Sequence, residues 1–261
     1  MSHQLIPNIF HLIYFGGRDF HLINYLTIKS IVTINRPDKI YFYTDQNMSG
    51  DYWDKASKYV EVVPYSAPTT VHGQQIIHPA HKSDIARLSL LYEHGGIYLD
   101  LDVICRRPFD DLLTHQVVLG KEVVEGKQVG ICSAVSLAQP TSMFSERWLD
   151  GFNPDISLWR GFRSKGFDKY YSEMTTKYGN FLATIYPEEV HVEPYESFFN
   201  PSYDEESLNS FFNDSREEYD RAYCHHLWAN ATWDSYLSHI SEELIKDSNS
   251  SFSQLARQFL D

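Results

Sequence analysis

The apolar positions change period along this chain, and each change marks an element. Residues 5–15, LIPNIFHLIYF, form an almost continuous run of β-branched and aromatic residues closed by Gly16-Gly17. Such a run predicts a first parallel strand, buried on both faces. From Phe20 to Ile34, the residues Leu22, Ile23, Leu26, Val32 and Ile34 recur at loose helical spacing, and Arg36-Pro37-Asp38 ends the pattern. KIYFYTD (39–45) predicts a second strand, 51–59 a short helix, and YVEVVPY (59–65) a third strand. Strand, helix, strand, helix, strand is the order of a doubly wound, mostly parallel sheet. Ligands of such sheets bind at the carboxyl ends of the strands. Tyr14, Phe15, Gly16, Thr44 and Asp45 fall there.

After a loop over 66–81, Ile85, Leu88, Leu91 and Tyr92 give a helical stripe from Ser83 to His94. Ser83 or Lys82 stands near its start, with Ser83 placed to cap free N–H groups. Gly95-Gly96 stops it. Ile97 to Ile104 then alternates: Ile97, Leu99, Leu101 and Val103 on one face, Tyr98, Asp100 and Asp102 on the other. Two carboxylates in succession on one face are costly to bury without a partner. Within so apolar a segment, a divalent cation between Asp100 and Asp102 fits better than a solvated face. Asp84 and Arg87, three apart, share a helix face. They form either a surface ion pair of little weight or a polar pair facing the ligand edge.

The rest of the chain is less regular. VVLGKEVV (117–124) and QVGICSAVSLA (128–138) predict antiparallel strands about Glu125-Gly126. Helices are expected over 141–150 and 167–183, with Gly151 to Gly166 between them as an acceptor-side loop. A short strand falls within 188–201, and the acidic stretch 204–222 reads as solvated. AYCHHLWANATWDSYL (222–237) is either an amphipathic packing segment or the source of a histidine ligand to the cation. The tail predicts a terminal helix.

A length of 261 residues suits one large α/β domain, alone or with added helices. The net charge of −13, without any Lys/Arg cluster, excludes a nucleic-acid binder of ordinary kind and argues against anionic lipid. Phosphate-bearing substrates stay open, because a bound cation inverts the local field. Three cysteines far apart in sequence make no disulfide framework or zinc pattern. The N-terminus has no signal-peptide pattern, and no apolar run reaches the ~18 residues of a membrane span. A reducing, cytoplasmic setting is expected.

The order Ser83-Asp84-x-x-Arg87, then eleven residues on to Tyr98 within G-G-I-Y-L-D-L-D, resembles the DXD-containing sugar-binding region of GT-A glycosyltransferases. It is most similar to glycosyltransferase family 32, the type of yeast initiating mannosyltransferases and capsular polysaccharide transferases. It also resembles the catalytic domains of clostridial glucosylating toxins. Motif coverage is confined to about 6–17, 79–108 and 222–233. The resemblance implies a single GT-A domain over 1–261, Rossmann-like, its sheet flanked by helices, with added C-terminal helices. Residues 1–108 would form the nucleotide-sugar half and 109–261 the acceptor side. It implies transfer of a hexose from a UDP- or GDP-sugar to a glycan or other hydroxyl, with retention and with Mn2+ or Mg2+. Asp100 would contact the donor ribose and the metal, and Asp102 would ligate the metal. Asp84 and Arg87 would hold sugar hydroxyls, with Ser83 and Tyr98 beside them. Leu12, Ile13 and Tyr14 would hold the base, partly through backbone. His226 or His225 would stand near the metal and diphosphate, and Trp233 close to the phosphate. The family's Ser-Trp ending departs here to Asn230-Ala231-Thr232-Trp233.

Two other readings are carried alongside. A DXD phosphotransferase or phosphatase would place its acids on the first strand, which this chain does not. A non-catalytic binder of sugar nucleotides could lose either acid freely. A glycoside hydrolase needs carboxyls ~5–9.5 Å apart across the bond, which two neighbours on one strand do not supply.

Overall fold

The structure, a computed structural model, describes residues 3–16, 19–76, 79–152, 173–215 and 219–261. The first buried run forms β1 (Ile9–Tyr14), and α1 (Leu22–Ser30) follows. A wide π-type turn, Ile31–Asn35, then leads to a left-handed Arg36. The loose spacing beyond Ile28 is therefore a change of helix type rather than a longer α-helix. β2 (Lys39–Thr44), α2 (Asp51–Ala56) and β3 (Glu61–Pro64) complete the predicted alternation. A two-residue hairpin, β4 (Thr70–Val71) with β5 (Gln74–Gln75), precedes α3 (Pro79–His94).

Helix α3 begins at a proline, whose missing N–H is no loss at a first helical position. Ser83 is thus inside the second turn. Its hydroxyl donates to the Pro79 carbonyl at 3.3 Å and does not cap the helix as expected. Gly95 (φ +65°) and Gly96 (φ +108°) turn the chain into β6 (Gly96–Leu99). The expected strand to Ile104 is broken. Asp100 N–H makes the last ladder bond, to Ala134 O, and Val103 N–H closes a turn on Asp100 O at 3.1 Å. From α1, Asn24 Nδ2 and Thr27 Oγ1 donate to the Leu101 carbonyl at 2.9 and 3.1 Å, holding that turn. The chain resumes as β7 (Val103–Cys105) in a separate ladder.

β8 (Val117–Val124) and β9 (Lys127–Ala138) pair antiparallel as expected. α4 (Met143–Gly151) and α5 (Tyr178–Ile185) follow, and most of the expected acceptor loop and the start of the second helix lie outside the described residues. Next come β10 (His191–Glu193) and α6 (Tyr195–Phe198). The described part of the acidic stretch, expected to be solvated, is not wholly so. It holds α7 (Glu205–Asn213), capped by Asp204 and burying Leu208, Phe211 and Phe212 at helical spacing. β11 (Cys224–His226), α8 (Ala229–Thr232), α9 (Glu242–Asp247) and α10 (Ser251–Ala256) end the chain. The tail is docked through buried Phe252, Leu255 and Phe259.

The main sheet runs β10-β8-β9-β6-β1-β2-β3, with β9 alone reversed. Phe10, Leu12, Phe42 and Leu99 face one core with α1, α2 and α10, while Ile13, Tyr43 and Tyr98 face another with α3 and α4. Helices thus cover both faces, the GT-A arrangement. The order reverses direction between β1 and β6, which places a crevice at their carboxyl ends.

Candidate metal and sugar site

Asp100 sits at the end of β6, and Asp102 lies in the turn that follows. They converge because the chain bends there, not because a strand continues. β11 runs antiparallel to β7 with His226 opposite Val103. That register carries His226 Nε2 to 3.3 Å from Asp102 Oδ1 and 3.9 Å from Asp100 Oδ2. One ligand atom from each of the three lies within 4.8 Å of the others, the sole such group among the described residues. His226 Nδ1, buried, makes no hydrogen bond.

The end of β11 is shaped for this. Trp228 takes a left-handed conformation, φ +56°, uncommon for a bulky residue. The bend points Ala229 N–H at Asp102 Oδ2, 2.6 Å away. Trp228 is fixed by its Nε1–H donating to Pro201 O at 2.8 Å, and its ring lies 4.1 Å from that of His226. Burial raises the Asp102 carboxyl, but His226 and the Ala229 N–H outweigh it and hold the group below its ordinary value. Burial likewise works against a charged His226, and Asp102 and Asp100 hold it above the ordinary histidine value.

Beside the acids stands the pair from α3. Asp84 and Arg87 are 5% and 6% exposed, so the surface ion-pair alternative is removed. Arg87 Nη2 spans Asp84 Oδ1 at 3.3 Å and Asp100 Oδ1 at 3.2 Å, and Nη1 donates to Ser133 Oγ at 3.0 Å. The guanidinium lies over the Tyr98 ring, and Tyr98 OH donates to Asp100 Oδ1 at 2.6 Å. Asp84 Oδ2 is buried with no hydrogen-bond partner, and burial, with Asp100 adding to it against Arg87, lifts its carboxyl to about 6. A buried carboxylate oxygen left open can accept a ligand hydroxyl.

The other expected residues are placed as follows. Leu12, Ile13 and Tyr14 have buried side chains, so only their backbone or ring edges can reach a base. Tyr14 OH donates to the Asp19 carbonyl. Trp233 packs on His21 at the start of α1, ring centres 4.7 Å apart. His225 is not brought to the acids. Strand alternation turns it to the opposite face, where Nδ1 donates to Asn200 O and the ring meets Phe211 and Tyr219. Burial there pushes it down to about 4.

Sequence reasoning missed Ser133, the Ala229 N–H and Glu122. Glu122 lies buried on β8, its carboxyl raised by burial and within the field of His226. Nothing in the strand pattern set Glu122 apart. A cavity of about 280 Å³ lined by Val32, Arg36 and Tyr59 lies at the start of β2, away from these groups.

Two carboxylates and an imidazole form a hard, oxygen-rich set with one nitrogen, suited to Mn2+ or Mg2+. The inward Nε2 of His226 and the partly open Asp100 fit such an ion.

Residues 25–119 match the family described as "Glycosyltransferase sugar-binding region containing DXD motif". Across 98% of the chain and 71% of its relative, the sequence is 27% identical to "Glucan organizing enzyme 1" of Cryptococcus neoformans var. grubii. A 33-residue stretch is 52% identical to "Inositol phosphoceramide mannosyltransferase 1" of Schizosaccharomyces pombe, covering 13% of this chain and 10% of that one. The structure of the glycosyltransferase GlyE from Streptococcus pneumoniae TIGR4 superposes with TM-score 0.52 over 98% of this chain and 61% of its own, at 12% identity, a likeness of fold. The resemblance is to DXD-containing glycosyltransferases, and the match and the fold support a glycosyltransferase.

Proposed function

We propose that the chain moves a hexose from a UDP- or GDP-sugar to a hydroxyl of a glycan or similar acceptor, with retention, using Mn2+ or Mg2+. The observation that carries this reading is the convergence of Asp100, Asp102 and His226 beside the buried Asp84–Arg87 pair. When bound there, the cation would offset the charge that develops on the departing diphosphate. Asp100, Asp102 and His226 would hold it, with the Ala229 N–H orienting Asp102. The unpartnered Asp84 Oδ2 would accept a donor-sugar hydroxyl. Arg87, fixed by Asp84, Asp100 and Ser133, would donate to another. Tyr98 fixes Asp100, and Ser83 stands one residue from Asp84 on the same helix. The base would lie against Leu12 to Tyr14, and Trp233 would flank the phosphates.

The names of the relatives direct the choice of substrates: a mannosyl donor, and a glucan or an inositol-containing acceptor. A cytoplasmic setting is part of this proposal, and no helix of the described residues is long and apolar enough to cross a membrane. Nucleic acid has no place in the reading.

The test is a panel of UDP-glucose, UDP-galactose and GDP-mannose with Mn2+, read by nucleotide release with and without a glycan acceptor. Release of UDP or GDP, faster with acceptor, is expected. Release of inorganic phosphate instead would point to a phosphatase, and binding without turnover to a sugar-nucleotide receptor.

A further inference from the structure

The chain holds three cysteines, free and buried in the structure. Two of them, remote in sequence, are brought face to face: Cys105 on β7 is the register partner of Cys224 on β11. The ladder's bonds show which kind of pair this is. Arg106 N–H donates to Tyr223 O at 2.8 Å, and Leu227 N–H donates to Asp102 O at 2.9 Å. Antiparallel ladders alternate between hydrogen-bonded and non-hydrogen-bonded pairs. Arg106/Tyr223 and Asp102/Leu227 are bonded, so Cys105/Cys224 is a non-bonded pair. At such pairs the Cα atoms stand about 4.5 Å apart and the side chains lean toward each other. A disulfide needs a Cα separation of about 4.4–6.8 Å. Both side chains lie in one apolar cluster at 0% exposure, on the ladder face that His226 and Val103 share. Cys132 lies on β9, in the other sheet.

We propose that Cys105 and Cys224 are a disulfide-forming pair, closed when the chain folds in an oxidising thiol buffer. The oxidant is a small-molecule disulfide such as oxidised glutathione. One protein thiol, as thiolate, attacks it, forming a mixed disulfide and releasing one reduced glutathione. The second protein thiol attacks the mixed disulfide, forming the Cys105–Cys224 bond and releasing the second. Two thiols are oxidised, one small disulfide is reduced, and both protons end on glutathione. Because the sulfurs are enclosed in the folded chain, the exchange takes place as β11 docks on β7. The bond ties the strand that carries His226 to the strand that follows Asp102, and so braces the candidate metal site from behind. It is independent of which sugar is transferred, and of whether any is.

The test uses the whole chain. Reduced, unfolded protein is refolded in a glutathione buffer rich in the disulfide form, then unfolded, alkylated, digested and mapped by mass. The expected result is alkylation of Cys132 alone and a linked pair of peptides holding Cys105 and Cys224. In Cys105→Ser, both Cys132 and Cys224 should be alkylated. Three alkylated thiols in the parent chain would overturn the proposal. So would a bond that includes Cys132, in the parent or, at comparable yield, in Cys105→Ser.

Discussion

Arg87 shows how one residue can organise a site. Its two outer nitrogens reach Asp84, Asp100 and Ser133, while its plane lies on Tyr98. Lysine keeps the charge but not the fork or the flat face. Arg87→Lys is therefore expected to lower turnover by about a hundredfold, the scale of a small misplacement of reacting groups. Circular dichroism should show the fold unchanged. A second residue-scale expectation concerns stability. Burial pushes His11 and His225 down to about 4 from the ordinary 6.5. The unfolded chain therefore binds protons that the folded chain refuses. The stability these two groups contribute is complete above pH 6.5 and is lost as the pH drops toward 4, by up to roughly 3 kcal/mol from each. Asp84, lifted to about 6, and His226, held above its ordinary value, shift stability the other way. Urea titrations between pH 7 and 4.5 should show the midpoint of the parent falling relative to that of His11→Gln.

At the scale of the element, the segment Pro79–Cys105 joins helix, glycine corner, strand and turn. Its glycines are demanded by close approach. A Cβ on Gly96 would stand 2.5 Å from the Ile9 carbonyl and 2.9 Å from His11 Nε2. His11 holds the same corner, its Nε2–H donating to Gly95 O at 2.8 Å while Nδ1 accepts from Tyr43 OH. Gly96→Ala should cost at least ~2 kcal/mol by thermal or urea denaturation, through clash and a left-handed backbone. Much of this segment was legible. Alternation from Ile97 found the two acids, and helical spacing found the Asp84–Arg87 pair. The turn at Asp100–Asp102 was not legible, because Asn24 and Thr27, the groups that hold it, lie on a distant helix. The hydrophobic spacing of Leu208, Phe211 and Phe212 was hidden beneath the charge of the residues around it. His225 and His226 could not be told apart until the register of β11 was known, since one step along a strand reverses the face.

At the scale of the whole molecule, a sheet with one reversed strand sets helices on both faces, and its strand order changes direction between β1 and β6. The first half of the chain supplies Asp84, Arg87, Asp100 and Asp102 to the candidate site. The last forty residues return to complete the group with His226 and to brace Asp102 with the Ala229 N–H. That return explains why the pairing of Cys105 with Cys224, like the position of His226, is a property of the fold and not of any local motif. The central claim is that Asp100, Asp102 and His226 hold a divalent cation that transfer requires. The most direct measurement is nucleotide release from the best donor of the panel, by the parent chain and by Asp102→Ala, with Mn2+ and after EDTA. The account predicts that EDTA abolishes release and Mn2+ restores it. It also predicts that Asp102→Ala, with an unchanged circular dichroism spectrum, releases at least about a hundredfold less. Full turnover by Asp102→Ala, or release untouched by EDTA, would contradict it.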